Sequence, residues 1–369
     1  MSIRLLVLSN PNSIHTIKWI TALAKNNFKI VLVGLNTLKV TDYNKYSNIK
    51  VITFNNDIIK YENIFRKLRY IKLLPKIKKI ISEFKPDILH AHYASSYGLL
   101  GALSNFHPFV ISVWGSDIYD FPRKSWFHKK ILQYNLIQAD HILSTSKVLA
   151  KETKLYTNMP IEITPFGIDI DIFKKKNTKS LFGDDDIVIG TIKSLEEIYG
   201  IENLIHLFNL LVEKYPELPL KLLIVGGGSL SSSLKALVVD LKLEDKTIFT
   251  GEIIASDIPQ YHNMLSIYVA LSKQESFGVA ILEASSCSRP VIVSDVGGLP
   301  EIVEDKVTGY VVDGENIEKV LIVIEKILFN KQLEIKMGEA GRNRVERLYN
   351  WKNNVQQMID IYKQIQNKH

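Results

Sequence analysis

Short runs of aliphatic and β-branched residues alternate with longer segments whose apolar positions recur at helical spacing, over nearly all of the 369 residues. That alternation predicts parallel sheets with crossover helices, since parallel strands need a connection that crosses a sheet face. The first half supplies strands at Arg4 to Leu8, Lys29 to Val33, Val51 to Phe54, Ile88 to Ala91, Phe109 to Val113, His141 to Ser144 and Ile161 to Thr164. After Pro165-Phe166-Gly167 a polar, lysine-rich stretch runs to Gly183-Asp184-Asp185-Asp186, and the alternation restarts at Ile187 to Ile192. Strands follow at Leu220 to Val225, Thr247 to Thr250, Ile267 to Ala270, Pro290 to Ser294 and Gly309 to Val312, and a helical pattern from about Leu333 to Gln366 closes the chain. The pattern predicts an α/β chain of two doubly wound domains. The first covers 1–166 together with a returning helix at about 351–369, a linker covers 167–186, and the second domain covers 187–350. Ligands of such sheets bind beyond the carboxyl ends of the strands, so the chemistry belongs in the loops that follow them.

Composition agrees with two globular cores and narrows the setting. No apolar run approaches the ~18 residues of a membrane span, and the N-terminus enters a strand without a signal-like apolar stretch. Cys287, the one cysteine, allows no internal disulfide. The expected location is therefore the cytoplasm. Charge is divided unevenly: residues 1–180 hold 27 Lys/Arg against 12 Asp/Glu, and the remainder 19 against 27, so halves of +15 and −8 make up the net +7. A basic first half faces something anionic. Eight basic residues lie between Lys60 and Lys79, interleaved with Ile64, Phe65, Leu68, Ile71, Leu73, Leu74 and Ile77. This predicts a basic amphipathic helix, interrupted at Pro75, that places 60–84 at an anionic membrane surface; the competing reading is a solvated lysine-rich face. No nucleic-acid reading motif accompanies the charge, so nucleic acid is not an expected partner.

The densest chemistry lies in Lys273-Gln274-Glu275-Ser276-Phe277-Gly278-Val279-Ala280-Ile281-Leu282-Glu283-Ala284, directly after a strand. A helix starting near Ser276 leaves the N–H groups of Ser276, Phe277 and Gly278 without intrahelical partners, a disposition that favours phosphate. Glu275 and Glu283 are eight residues apart, roughly 12 Å at 1.5 Å per residue, too far to act as acid and base on one bond. The spacing suits two carboxylates holding hydroxyls at opposite ends of an elongated ligand.

This block, with Arg289-Pro290-Val291-Ile292-Val293-Ser294-Asp295-Val296-Gly297-Gly298-Leu299-Pro300-Glu301 downstream, resembles the signature of glycosyltransferase family 4, retaining enzymes of the GT-B fold. Phe249-Thr250-Gly251-Glu252-Ile253 and Pro165-Phe166-Gly167-Ile168-Asp169 extend the likeness. The resemblance implies two Rossmann-like domains, a nucleotide-sugar donor in the second and a glycan acceptor in the first. It implies that Glu275 holds donor-sugar hydroxyls, Glu283 the ribose, and Glu252 and Ile253 the base, with Ser276, Phe277 and Gly278 beside the phosphates. The resembled fold needs no metal and no separate cofactor.

The chain departs from that pattern where family members carry an arginine and a lysine for the diphosphate. Here the loop reads Thr191-Ile192-Lys193-Ser194-Leu195-Glu196-Glu197-Ile198-Tyr199-Gly200, so Lys193 supplies one cation and Tyr199 stands in the place of the second. Lys193 is expected to carry the charge stabilisation, with helix-end amides and Lys273 sharing it. Gly226-Gly227-Gly228 lacks the third glycine of a dinucleotide fingerprint, and Asp184 to Asp186 reads as a solvated stretch, not a metal motif.

On the acceptor side, Asn10 and His15 lie in the turn after the first strand, His92 ends the fourth, and Trp114 and Asp117 follow the fifth. His90 and His92 project to one side of their strand, as a polar lining or, less in keeping with the absence of a third ligand, a metal pair. Asp117 has two competing roles, contact with the reacting sugar or acceptor, and a helix-cap or turn residue. The expected activity is transfer of a hexosyl or N-acetylhexosaminyl group, from a UDP-sugar or GDP-sugar, to a lipid-linked glycan in cell-surface polysaccharide or lipopolysaccharide assembly. An epimerase of the same architecture and a noncatalytic nucleotide-sugar binder are the alternatives.

Overall fold

The protein, seen as a computed structural model, is described at residues 2–54 and 68–368. It divides into two compact units, one made of the chain up to Pro165 together with Asn353 onward, the other of Phe166–Lys352.

In the first unit, β1 (Arg4–Leu8), β2 (Lys29–Gly34), β3 (Ile49–Thr53), β4 (Ile88–His92), β5 (Phe109–Val113), β6 (His141–Ser144) and β7 (Ile161–Ile163) form one parallel sheet in the order β3-β2-β1-β4-β5-β6-β7. Strand order reverses between β1 and β4, which pair with Leu5 beside Ile88 and Leu8 beside Ala91. All of β4 and β5 is buried, as expected of strands covered on both faces. The helix Trp351–Lys368 turns Val355, Met358, Ile359, Tyr362 and Ile365 inward, a spacing of three and four residues that makes one apolar stripe. It is anchored by polar contacts as well. Tyr362 Oη lies 2.6 Å from His90 Nδ1, and Asn354 Nδ2 donates to the Pro165 carbonyl at 3.0 Å.

The final helical pattern is two helices, the second beginning at Trp351 where the returning helix is expected. Lys331–Leu348 ends at Tyr349 and Trp351–Lys368 begins beyond Asn350, because Ile168 bridges the gap: its N–H donates to the Tyr349 carbonyl at 2.7 Å, and its carbonyl accepts from Trp351 N–H at 2.9 Å. Residues 167–186 group with the second unit. Ile168 and Phe173 are buried, and Ser286 Oγ donates to the Phe173 carbonyl at 2.6 Å.

The basic segment also differs from expectation. Residues 60–67 lie outside the described residues. From Leu74 to Phe84 the chain is a helix, and Pro75 sits in its first turn, where a missing N–H costs nothing. Leu73 and Ile77 are buried in the core of the first unit, with Ile80, Ile81 and Phe84 packed against it. The apolar face of 73–84 is spent on the protein's own core, so that helix has no such face to offer a membrane.

In the second unit, β8 (Ile187–Ile192), β9 (Leu220–Val225), β10 (Thr247–Phe249), β11 (Ile267–Ala270), β12 (Val291–Ser294) and β13 (Gly309–Val312) form a parallel sheet in the order β10-β9-β8-β11-β12-β13. Its order reverses between β8 and β11, where Ile267 pairs with Ile189 and Tyr268 with Gly190.

Candidate functional site

The reversal between β8 and β11 leaves a crevice at their carboxyl ends, because the connections leave to opposite sides. Lys193 is the first residue beyond β8, and Glu275 lies in the loop after β11. Their side chains meet there in an ion pair, both largely buried. Burial alone would lower the Lys193 ammonium's pKa; the Glu275 carboxylate, with smaller help from Tyr268 and Tyr199, outweighs it and raises the value. Lys193 is thus a firmly charged cation. Its Nζ also stands 4.4 Å from the centre of the Tyr199 ring, a cation–π contact. Where the family pattern has a second cation, this chain has the aromatic face that holds the first. Lys273 lies at the rim of the same loop, 3.4 Å from Glu197 and half exposed, with its N–H donating to the Ile198 carbonyl.

The helix after Glu275 starts later than the sequence predicts. It spans Val279–Ser286, and Gly278 caps it with φ of 100°, a left-handed conformation outside the helix, while its carbonyl accepts from Leu282 N–H at 3.3 Å. The N–H groups of Ser276 and Phe277 therefore belong to the loop, and that of Gly278 to the helix end. A glycine turn shapes this loop from below: Gly298 N–H donates to the Glu275 carbonyl at 3.0 Å, and a Cβ on Gly297, whose φ is 51°, would strike that carbonyl. Phe277 is buried, its ring edge-on to Phe166 and Tyr349 at 5.6 and 5.9 Å, and so anchors the loop from inside. Ser276 is half-buried.

Glu283 lies one helical turn beyond Val279, with His262 Nε2 3.4 Å from its Oε2. His262 is fully buried, flanked by Phe173 and Tyr268. No local pattern in the sequence marks this histidine; it reaches Glu283 from the helix Ile258–Met264. Glu252 and Ile253 follow β10, with Glu252 exposed against Gly227. Gly226 N–H donates to the Gly251 carbonyl at 3.0 Å, which brings the loops after β9 and β10 side by side. Asp184 and Asp185 are exposed and Asp186 is half-buried, its Oδ2 accepting from Gly183 N–H as a turn residue does.

In the first unit the carboxyl ends of β1, β4 and β5 gather His15, His92 and Trp114. The His92 ring lies 4.4 Å from Trp114 and the His15 ring 5.9 Å, with Tyr93 against Trp114 at 5.3 Å. Asn10 is half-buried in the turn beside them, its Oδ1 accepting from Asn12 N–H. Burial, with Lys18 second, lowers His15 to about 4, and burial lowers His90 to about 3. His92 is pushed well below the ordinary value by burial, then by His90 and His15. All three are neutral at pH 7. His90 is occupied by Tyr362 and by Ser112 Oγ at 2.8 Å, and His92 Nδ1 lies 3.0 Å from Ser9 Oγ. Among the described residues no group of three or more His, Cys, Asp or Glu is arranged to hold a metal.

Asp117 is buried, and its carboxylate accepts backbone N–H groups from Ala94 at 2.7 Å, Gly115 at 2.9 Å and Trp114 at 3.2 Å. Burial raises its pKa, opposed by these hydrogen bonds. The geometry is that of the turn residue, the second of the roles the sequence leaves open, and it ties the loops after β4 and β5 together. Beside it lies a cavity of about 240 Å³ lined by Ser95, Ser96, Ser116, Asp120, Lys124 and His128 among others.

Comparison with known proteins places both units. Residues 4–146 match the family described as glycosyl transferase 4-like, and residues 172–344 match glycosyl transferases group 1. N-acetyl-alpha-D-glucosaminyl L-malate synthase of Bacillus anthracis is 25% identical over 331 residues, 84% of each chain. A GDP-mannose-dependent alpha-(1-6)-phosphatidylinositol monomannoside mannosyltransferase of Mycobacterium tuberculosis is 32% identical over 137 residues, 35% of this chain and 36% of that one. Among solved structures, sucrose-phosphate synthase from Thermosynechococcus elongatus superposes with a TM-score of 0.84 at 19% identity over all of both chains. Anabaena HepE in complex with UDP superposes at 0.81 and 18%, covering 99% of this chain and 100% of that one.

Proposed function

As the chain belongs to the group 1 glycosyltransferases, we propose that it moves a sugar from a nucleoside diphosphate onto a glycan acceptor with retention at the anomeric carbon. The observation that carries this reading is the Lys193–Glu275 pair at the β8/β11 reversal, one cation and one carboxylate side by side. Lys193 takes the diphosphate, releasing Glu275 to accept hydrogen bonds from the sugar hydroxyls. Glu283, steadied by His262, accepts them from the ribose.

The acceptor hydroxyl attacks the anomeric carbon on the face the diphosphate leaves. The bond to the phosphate oxygen breaks with its electron pair going to the diphosphate, and the hydroxyl proton passes to that oxygen. No protein nucleophile takes part; orientation and the Lys193 charge lower the barrier. Lys193 is steadied by Tyr199, so a single cation serves. Asp117 acts as a positioning residue for the acceptor loops. UDP is the first donor to test, in keeping with the UDP bound to HepE, and the mannosyltransferase relative keeps GDP-sugars in the panel. The acceptor is a lipid-linked glycan of cell-surface polysaccharide or lipopolysaccharide assembly, in keeping with the basic first half.

Calorimetric titration with UDP tests the donor site. Wild type binds. Glu283→Ala loses about 1.5–3 kcal/mol, the worth of hydrogen bonds to a charged group, or roughly ten- to a hundred-fold in affinity. His262→Leu weakens binding about tenfold by freeing the Glu283 carboxylate, and His262→Gln recovers part of that. Equal affinity for UDP in all four folded chains would remove both residues from the donor site.

A further inference from the structure

The helix Trp126–Gln138 in the first unit carries apolar residues on both its inner and its outer side. Its inner side buries Leu132, Asn135 and Leu136. At about 100° per residue, Trp126, Lys130, Tyr134 and Ile137 fall on one outward stripe, with Phe127 and Lys129 to either side. That stripe carries large apolar side chains in water: Trp126 is 71% exposed and Ile137 63%, and Leu155, which lines a surface hollow together with Ile137, is 66% exposed. Scattered exposed apolar residues are ordinary, whereas a contiguous row of them marks a contact surface.

The charges around the row indicate what it contacts. Lys130 Nζ lies 5.9 Å from the Trp126 ring and Lys129 Nζ 6.0 Å from the Tyr156 ring. Neither lysine, nor Lys124, pairs with a carboxylate among the described residues. The nearby acids are largely engaged elsewhere, Glu152 with Arg123 at 2.8 Å and Asp140 with His107 at 2.7 Å, and Asp120 is the exposed exception. Protein interfaces are depleted in lysine at their centres, while Trp and Tyr interleaved with lysines along a surface helix suit a bilayer's headgroup layer.

We propose that the outer face of Trp126–Gln138, with Leu155, docks on an anionic lipid surface, its aromatic and aliphatic side chains entering the headgroup boundary and Lys129 and Lys130 meeting lipid phosphates. The inference rests on the lipid-linked acceptor proposed above for its purpose but not for its evidence. It also moves the membrane contact from 60–84 to a helix whose apolar residues are free to make it. Among the described residues no helix is long and apolar enough to cross a membrane, so the contact lies in the surface plane.

Co-sedimentation of the full chain with vesicles of phosphatidylcholine alone, and of phosphatidylcholine mixed with phosphatidylglycerol, tests this at low salt. Wild type is expected to pellet with the mixed vesicles and stay free of the neutral ones, with Trp126 emission shifting to the blue. Trp126→Ser combined with Ile137→Ser should lower binding at least tenfold, and Lys129→Gln combined with Lys130→Gln should abolish the preference for anionic lipid. All these positions are exposed, so folding is preserved, and UDP release from a nucleotide sugar with a water-soluble acceptor should be unchanged. Wild-type binding in the Trp126/Ile137 variant overturns the proposal. So does a wild-type dimer in sedimentation velocity that the same variant turns into monomer, since the face then belongs to a second copy. Failure of turnover with every donor, with vesicle binding intact, would instead count against the catalytic reading alone.

Discussion

Lys193→Ala is expected to lower kcat by about a hundred- to a thousand-fold, the loss that follows removal of one preorganised charge from a transition state. Negative charge grows on the diphosphate as its bond to the sugar breaks, so the Lys193 cation matters more in the transition state than in the bound donor. The Michaelis constant for donor should therefore move much less than kcat. The effect is expected to be large because the residue beside Lys193 is the uncharged Tyr199 ring, where the resemblance to family 4 implies a second cation. Alanine at 193 also leaves the largely buried Glu275 unpaired, so Lys193→Gln, which keeps a hydrogen-bond donor beside Glu275, separates that loss from the catalytic one. Steady-state rates on chains shown to be folded by circular dichroism provide the check. Near-wild-type kcat in either variant would transfer phosphate stabilisation to backbone amides or Lys273.

The second large effect is on stability. Asp117→Ala removes the acceptor for three backbone N–H groups in a buried loop junction. Unsatisfied buried donors cost about 1–3 kcal/mol each, and with relaxation and water entry through the adjacent cavity the total is expected near 3 kcal/mol. For a unit of this size that is a fall of roughly 6–12 °C in the melting transition of the first unit. Calorimetry should show that transition moving while the second unit's melts as before. A variant that keeps its stability but loses turnover would return Asp117 to direct contact with substrate.

The sheets were almost entirely legible from hydrophobic pattern, since β5, β6, β8, β9, β11 and β13 begin and end at the residues the alternation marks. Parallel strands covered on both faces write themselves as uninterrupted apolar runs, which is a strong local signal. What local pattern did not contain was decided at a distance. The long C-terminal helical pattern breaks just before the expected returning helix at Trp351 because Ile168, far away in sequence, captures the backbone groups at Tyr349 and Trp351. The Ser276 helix start gave way to Gly278 because a left-handed glycine is a matter of backbone conformation, for which the letter G is only permissive. Pro75 was read as an interruption and is a start, since proline marks a helix boundary without saying which side of it the helix lies. The basic face of 73–84 proved to be the solvated side of a core helix, whereas Trp126–Gln138, with almost no net amphipathic pattern by its letters, leaves Trp126 and Ile137 exposed beside its lysines.

The site divided along the same line. Lys193 and Glu275 stand out in the sequence because each follows a strand, and Glu283 because it stands eight residues beyond Glu275. Their surroundings are less visible: His262 beside Glu283 and Tyr268 beside Lys193 carry no local mark, and Tyr199 and Gly297 are visible as residues but not as the ring on Lys193 and the turn beneath the Glu275 carbonyl. A chemical group is visible in one dimension, but the environment that sets its charge and direction is assembled by the fold.

Proton NMR of the glycosylated product formed from a UDP-sugar decides whether the sugar is transferred from a nucleoside diphosphate with retention. UDP should be released in equal amount with a product whose anomeric proton carries the same α configuration as the donor; a β-configured product, or donor consumed without any acceptor glycosylated, would overturn transfer with retention.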